Sequence, residues 1–146
     1  MQRSLLLASL LLALLLGGPA LALPQVQKFL DVEYVTGGVG DEEARYLAEL
    51  ARDFTLKILV TKDGKYFADV DIRILDAHGE LVLEARTDGP LLYANLPPGR
   101  YTVIAEGFGE HFERKVSIRK GRQAYLVFRW PWVAEPPEPP AADEAG

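Results

Sequence analysis

The chain lacks several residue types on which common catalytic sites depend. It contains no cysteine, which excludes disulfides, thiolate nucleophiles and cysteine metal ligands. Its two histidines, His78 and His111, do not have the close spacing of paired zinc ligands. After the N-terminal leader the single serine is Ser117, in a predicted strand without a glycine elbow. We therefore predict no catalytic residue, no metal site and no cofactor.

Basic residues are too few and too scattered for a nucleic-acid-binding protein, because such binding needs clustered Lys and Arg. The whole chain has a formal net charge of -5. A small basic group, formed by Lys115, Arg119, Lys120 and Arg122, surrounds Gly121 at a predicted turn. We interpret these as solvated turn charges and predict no binding of nucleic acid.

The N-terminus has the pattern of a secretory signal peptide. Arg3 precedes an apolar run from Leu5 to Leu16, and Ala20-Leu21-Ala22 forms a small-x-small cleavage site. The run is shorter than the roughly 20 residues that span a bilayer. We predict cleavage after Ala22, no integral membrane segment after cleavage, and a periplasmic or secreted protein.

The remaining chain divides into four segments by composition. Residues 23–40 are predicted to be extended and to end in a glycine-rich loop, and residues 41–53 to form a short helix with Asp41 as its N-cap. Residues 54–130 show the two-residue period of β-strands. Residues 131–146 are rich in Pro, Glu and Ala and are predicted to be a disordered tail.

The strand region predicts an all-β fold. Seven short alternating runs are separated by turn residues at spacings of roughly ten residues, which is typical of a two-sheet antiparallel sandwich. Between the fourth and fifth runs, Leu96-Pro97-Pro98-Gly99-Arg100 is predicted to be a hairpin junction. The runs are Thr55 to Thr61, Val70 to Ile74, Leu81 to Thr87, Leu91 to Leu96, Tyr101 to Glu106, His111 to Ile118 and Gln123 to Arg129.

The order of Asp88-Gly89-Pro90 followed by Leu96-Pro97-Pro98-Gly99-Arg100-Tyr101-Thr102-Val103 resembles the carboxypeptidase regulatory-like domain, over roughly Thr55 to Arg129. The resemblance implies a transthyretin-like, seven-stranded Greek-key β-sandwich. It also implies a stable accessory or binding module, as in small periplasmic proteins that carry this domain. The hydrolase branch of the transthyretin-like group ends in Tyr-Arg-Gly-Ser, which is absent here, so its activity is not carried over.

Acidic residues in the predicted turns offer hard oxygen ligands for calcium. Calcium needs six to eight such ligands, and no Asp-x-Asp-x-Asp-Gly run gathers them. We interpret them as solvated carboxylates. They are Asp63, Asp69, Asp71, Asp76 and Asp88.

Aromatic residues give two alternatives for a binding face. If Tyr93, Tyr125, Trp130 and Trp132 converge outside the core, they could stack on sugars or on apolar groups of a partner. The competing alternative is that the predicted helix packs over this face and buries it, since the apolar stripe of the helix also needs a partner.

Three functions follow from these observations. The first is a noncatalytic periplasmic or secreted module that binds a protein or a cell-envelope component through a sheet edge or an aromatic face. The second is a small hydrolase or metal-assisted enzyme with a carboxylate-based site. The third is a self-associating structural protein.

Overall fold

The computed structural model describes residues 22–131, which form two β-sheets and one helix. The predicted signal peptide and tail lie outside the described residues, apart from Ala22 and Pro131. The helix α1 spans Asp41–Leu50 and continues into a single 3-10 turn at Ala51–Asp53. The strands are β1 (Gln27–Phe29), β2 (Val32–Gly37), β3 (Leu56–Lys62), β4 (Lys65–Tyr66), β5 (Asp71–Leu75), β6 (Leu81–Arg86), β7 (Leu91–Ala94), β8 (Gly99–Gly107), β9 (Glu110–Ile118) and β10 (Ala124–Trp130).

The predicted all-β class is confirmed, but the number of strands differs. One sheet, sheet A, has the order β1-β2-β7-β3-β10, with β4 paired to the end of β3. The other, sheet B, has the order β6-β5-β8-β9. Strands β3 and β5 to β10 correspond to the seven predicted runs, so the ten strands in residues 22–131 include three more, β1, β2 and β4.

Strand β2 corrects part of the prediction for residues 23–40, because residues 34–37 of the expected glycine-rich loop belong to a strand. Tyr34, Val35 and Thr36 are aromatic or β-branched, and the strand that they form pairs with β1 on one side and β7 on the other. Its end lies close to the loop before β7, where a Cβ at Gly89 would clash with the carbonyl of Gly37. The glycines therefore permit a close backbone approach at the end of a strand.

Strand β10 corrects the prediction of a purely antiparallel sandwich. It runs parallel to β3, in a register from Ala124 opposite Leu56 to Trp130 opposite Lys62. The side-chain amide of Gln123 fixes the start of β10, since its Nε2 donates to the carbonyls of Ala51 at 2.6 Å and Phe54 at 3.0 Å. Strand β10 is thus the last strand of sheet A.

The main core lies between the two sheets. The alternation predicted for residues 70–74 is present, since Ile72 and Ile74 are fully buried while Asp71 is exposed. Leu56, Ile58 and the other inward side chains of β3 meet them from sheet A. Each such aliphatic side chain stabilises the fold by about 1.5–3 kcal/mol.

The N-cap predicted for α1 is wrong. Asp41 is the first helical residue, and Gly40 precedes it with φ 82° and no side-chain cap. A side chain of the helix binds the backbone amides of the preceding loop instead. Glu43 Oε1 accepts from the N–H of Gly38 at 2.7 Å and from the N–H of Val39 at 3.4 Å. A carboxylate in the first turn also suits the positive end of the helix dipole.

The Pro97-Pro98 segment corrects a further prediction, because it is not a hairpin. Strand β7 pairs within sheet A and β8 within sheet B, so this turn carries the chain from one sheet to the other. The Tyr101 hydroxyl donates to the Pro97 carbonyl at 2.7 Å and closes the crossover. Burial, followed by the charge of Asp76, raises the pKa of Tyr101 above its usual 10.0.

A Tyr101→Phe variant tests this closure. Losing the hydrogen bond to Pro97 should lower the free energy of unfolding by about 1 kcal/mol near neutral pH. The folded-state pKa of Tyr101 lies above 10.0. The contribution of Tyr101 to the free energy of unfolding is therefore fully present below pH 10.0 and is lost as the pH rises through the folded-state pKa. The difference between wild type and variant, measured by urea unfolding, should therefore shrink above pH 10.0.

The matched control is Tyr66→Phe, because Tyr66 is 70% exposed and should change stability by less than about 0.5 kcal/mol. A difference in free energy of unfolding between wild type and Tyr101→Phe that stays constant or widens above pH 10.0 would contradict the hydrogen bond from Tyr101 to Pro97.

Candidate functional site

Sheet A separates the aromatic residues that were considered for one binding face, because Tyr93 and Tyr125 lie on its outer side and Trp130 on its inner side. Tyr93 on β7 and Tyr125 on β10 lie in one row across the outer face, where both are in register with Lys57 on β3. The Lys57 ammonium lies 5.5 Å from the centroid of the Tyr93 ring and 5.4 Å from that of Tyr125. This geometry is suitable for a cation–π contact on both sides of the lysine.

The predicted helix covers one end of this row, as the second of the two alternatives expected, and Tyr93 is therefore not an exposed contact. Leu47 from α1, together with Phe54, packs with Tyr93 and Val35 in a second hydrophobic cluster, and Tyr93 is only 1% exposed. The ring centroids of Phe54 and Tyr93 lie 6.0 Å apart. Burial, followed by the nearby Tyr125, raises the pKa of Tyr93. The helix ends before Tyr125, which remains 54% exposed.

Trp130 lies on the opposite, inner face of sheet A, so it does not converge with Tyr93 and Tyr125 as the first alternative required. It is 3% exposed, and its Nε1 donates to the Gly107 carbonyl at 3.0 Å. Because side chains alternate along β10, Phe128 and Trp130 point inward while Tyr125 points outward. Trp130 meets Phe112 edge to face at a centroid distance of 5.0 Å. Trp132 lies outside the described residues.

The residues considered for catalysis are not assembled into a familiar site. Ser117 is an exposed residue of β9, and no hydrogen bond joins it to either histidine in the described part of the chain. His78 lies in the β5–β6 turn, where Asp76 Oδ1 accepts from its backbone N–H at 2.8 Å. His111 is an exposed residue near the start of β9.

The carboxylates considered for calcium are also separated. In residues 22–131 no three of the potential ligands His, Asp and Glu are grouped as a metal site would require. Asp69 and Asp71 do approach each other, but Arg86 lies between them, with its Nε 3.5 Å from Asp69 and its Nη1 3.8 Å from Asp71. A guanidinium thus neutralises the position at which a cation would bind.

The open side of β10 is the clearest feature able to bind a partner. Ala124 donates its N–H to Thr55, and the Trp130 carbonyl accepts from Asp63, so the even-numbered residues of β10 direct their backbone groups toward β3. Backbone groups alternate along a strand, so Tyr125, Val127 and Arg129 direct theirs away from sheet A. A second chain could add to this edge by backbone hydrogen bonds.

Strand β9 is the edge of sheet B beside β10, and the two strands leave a cleft between the sheets. The cleft has a volume of about 330 Å³ and is lined by Arg114 together with Tyr125, Leu126, Val127 and Arg129 of β10. At this position the guanidinium of Arg114 lies 5.7 Å from the centroid of the buried Phe128 ring. The cleft therefore combines partly exposed apolar side chains with two cations.

Exposed basic residues concentrate around β9 and β10, which we call the basic edge. The ion pairs in residues 22–131 involve other cations, Arg73 and Arg86. Four of these residues are the group that was interpreted as solvated turn charges around Gly121, because local sequence does not show that β9 and β10 lie side by side. The basic edge consists of Arg114, Lys115, Arg119, Lys120, Arg122 and Arg129.

The opposite edge of the sandwich, where β1 lies beside β6, is mainly acidic. It also has an apolar cavity of about 390 Å³, whose lining includes Leu81, Val82 and Leu96. Leu30 at the rim is 69% exposed and has φ 50°. The cations of this edge are Lys28, Arg86 and, in register with Glu84, Arg73, and both arginines already contact carboxylates. We call this surface, defined by Asp31, Glu33, Glu80 and Glu84, the acidic edge.

Comparison with known protein families matches residues 53–127 with the Rhizobiales growth-associated tandem repeat domain. The matched residues begin at the end of the 3-10 turn and reach into β10. They include all of sheet B. No curated protein matches the chain. None of the helical segments in residues 22–131 has the length and apolar character that a membrane crossing requires.

Replacement of the two tyrosines by alanine separates the buried residue from the exposed one. Tyr93→Ala should lower the free energy of unfolding by about 3–5 kcal/mol, because it leaves a cavity under α1. Tyr125→Ala should lower it by less than about 1 kcal/mol, because more than half of that side chain is in water. Urea unfolding measures both, and equal losses would contradict the covering of Tyr93 by the helix.

Proposed function

Because the chain belongs to the Rhizobiales growth-associated tandem repeat domain family, we propose that it is a noncatalytic binding module that joins another protein through the open edge of β10. We further propose that it acts in the periplasm or in secreted form. The N-terminal pattern of Arg3, the apolar run and Ala20-Leu21-Ala22 supports this location.

The observation that carries the proposal is the row of outward backbone groups on Tyr125, Val127 and Arg129. A seven-residue strand at a sheet edge offers unpaired donors and acceptors to any extended segment that lies beside it. The cleft beside β10 adds apolar area from Tyr125 and Leu126. The outer face near Tyr93 offers little to a partner, because α1 already covers it.

The fold that we propose for this module is the transthyretin-like Greek-key sandwich of the carboxypeptidase regulatory-like domain. Two sheets packed face to face support it, as does the Pro97-Pro98 crossover closed by the Tyr101 hydroxyl.

The scattered positions of the candidate catalytic groups support a noncatalytic role. Ser117, His78 and His111 lie on different turns or strand positions, with no hydrogen bond between their side chains in the described residues. Enzymes instead gather such groups within hydrogen-bond reach in a concave pocket.

A proline in β10 tests the edge directly. Val127→Pro removes one outward N–H while leaving the bonds to β3, which come from the even-numbered residues. When the tagged protein captures a partner from native periplasmic extract, we expect Val127→Pro to bind that purified partner at least about tenfold more weakly than wild type.

The matched control is Val127→Ala, which removes apolar side-chain atoms but keeps the N–H, and it should bind within about threefold of wild type. Circular dichroism verifies that both variants are folded. Equal binding by Val127→Pro and wild type would contradict the use of this edge, and equal weakening by both variants would assign the contact to the side chain.

A further inference from the structure

The two open edges of the sandwich carry opposite charge. The basic edge has six exposed cations against the carboxylates of Glu110 and Glu113. The acidic edge has four carboxylates against Lys28, because its other cations, Arg73 and Arg86, are already paired with carboxylates. In sheet A, β1 is the first strand and β10 the last, and in sheet B, β6 is the first strand and β9 the last. The two edges therefore lie at opposite ends of both sheets. The domain is therefore electrically polarised along the direction in which its strands are stacked.

Each edge also has an apolar part suited to the other. On the basic edge, Tyr125 is 54% exposed beside Leu126 and Val127 at the β9–β10 cleft. On the acidic edge, an apolar cavity floor of Leu81, Val82 and Leu96 lies within a rim that includes Asp31 and Glu80. An interface of this kind would bury apolar side chains at its centre and place complementary charges around them, as protein–protein interfaces do.

We propose that the domain binds a second copy of itself head to tail, with the basic edge of one copy against the acidic edge of the next. This inference rests on the proposed function and adds a second copy of this chain as a partner of the same edge. The contact uses different surfaces on the two copies, so it leaves one free edge at each end and can continue into a chain of copies. A contact of β10 with β10 would instead place like charges together, at an energetic cost.

Salt dependence is the first test. Sedimentation velocity of the purified protein over about a hundredfold range of concentration should show species larger than a dimer in about 0.01 M salt. These species should dissociate in about 1 M salt, where the Debye length falls from about 30 Å to about 3 Å. Protein that remains monomeric at low salt throughout this range would overturn the proposal.

Charge reversal tests the head-to-tail geometry. The first variant reverses the basic edge through Lys115→Glu, Arg119→Glu and Arg122→Glu, and the second reverses the acidic edge through Glu33→Lys, Glu80→Lys and Glu84→Lys. All six side chains are exposed, and none takes part in a side-chain hydrogen bond or ion pair in the described residues. The substitutions should therefore leave the fold intact, which urea unfolding verifies.

Each variant alone has two edges of the same sign and should self-associate at least about tenfold more weakly than wild type. A mixture of the two variants restores opposite charges and should associate again at low salt. A control with Glu42→Lys and Glu49→Lys changes charge on α1, away from both edges, and should behave as wild type. Association by either edge variant alone, or a mixture that stays monomeric, would overturn the head-to-tail contact.

The acidic C-terminal segment, residues 132–146, is a competing occupant of the basic edge. If the full chain is monomeric at low salt and associates only after this segment is removed, the segment is the occupant and the proposal is overturned. If self-association fails, the proposed function can still be tested separately. That test compares how tightly Val127→Pro and Val127→Ala bind a partner other than this chain.

Discussion

Parallel pairing between β10 and β3 is the constraint from which the rest of the architecture follows. Both strands must begin at the same end of sheet A, and the Gln123 amide secures this by bonding to the Ala51 and Phe54 carbonyls just before β3. Parallel neighbours need a long crossover connection. Here the connection contains β7 and the whole of sheet B, so closing the β3–β10 pair also places the second sheet over the first.

The outer face of sheet A shows how a short helix divides one surface into a buried and an open part. Val35, Tyr93, Lys57 and Tyr125 follow each other across four neighbouring strands. The ten-residue α1 reaches only the first two, and Lys57 lies at the boundary, with an aromatic ring on each side. The same row therefore supplies packing energy at one end and partner-accessible surface at the other.

Local patterns in the sequence identified the seven main strands and the range of the helix, because alternation and helical spacing depend on nearby residues. They did not identify β2, since the glycines that follow Thr36 resemble a loop and the pairing partner, β7, lies more than fifty residues away. The direction of β10 and the side on which Trp130 lies were not predictable either. A two-residue period gives two faces but does not say which one meets the second sheet.

Charge on the edges has two physical roles that must be distinguished. Edge strands commonly carry charged residues to prevent aggregation, and mixed signs on each edge, or one sign on both, would serve that purpose. In this domain the signs are segregated, with cations around β9 and β10 and carboxylates around β1 and β6. Segregation repels a copy that approaches with the same edge and attracts one that approaches with the other. Such a pattern disfavours like-edge pairing while selecting one orientation of contact, because attraction and repulsion act on the same surfaces.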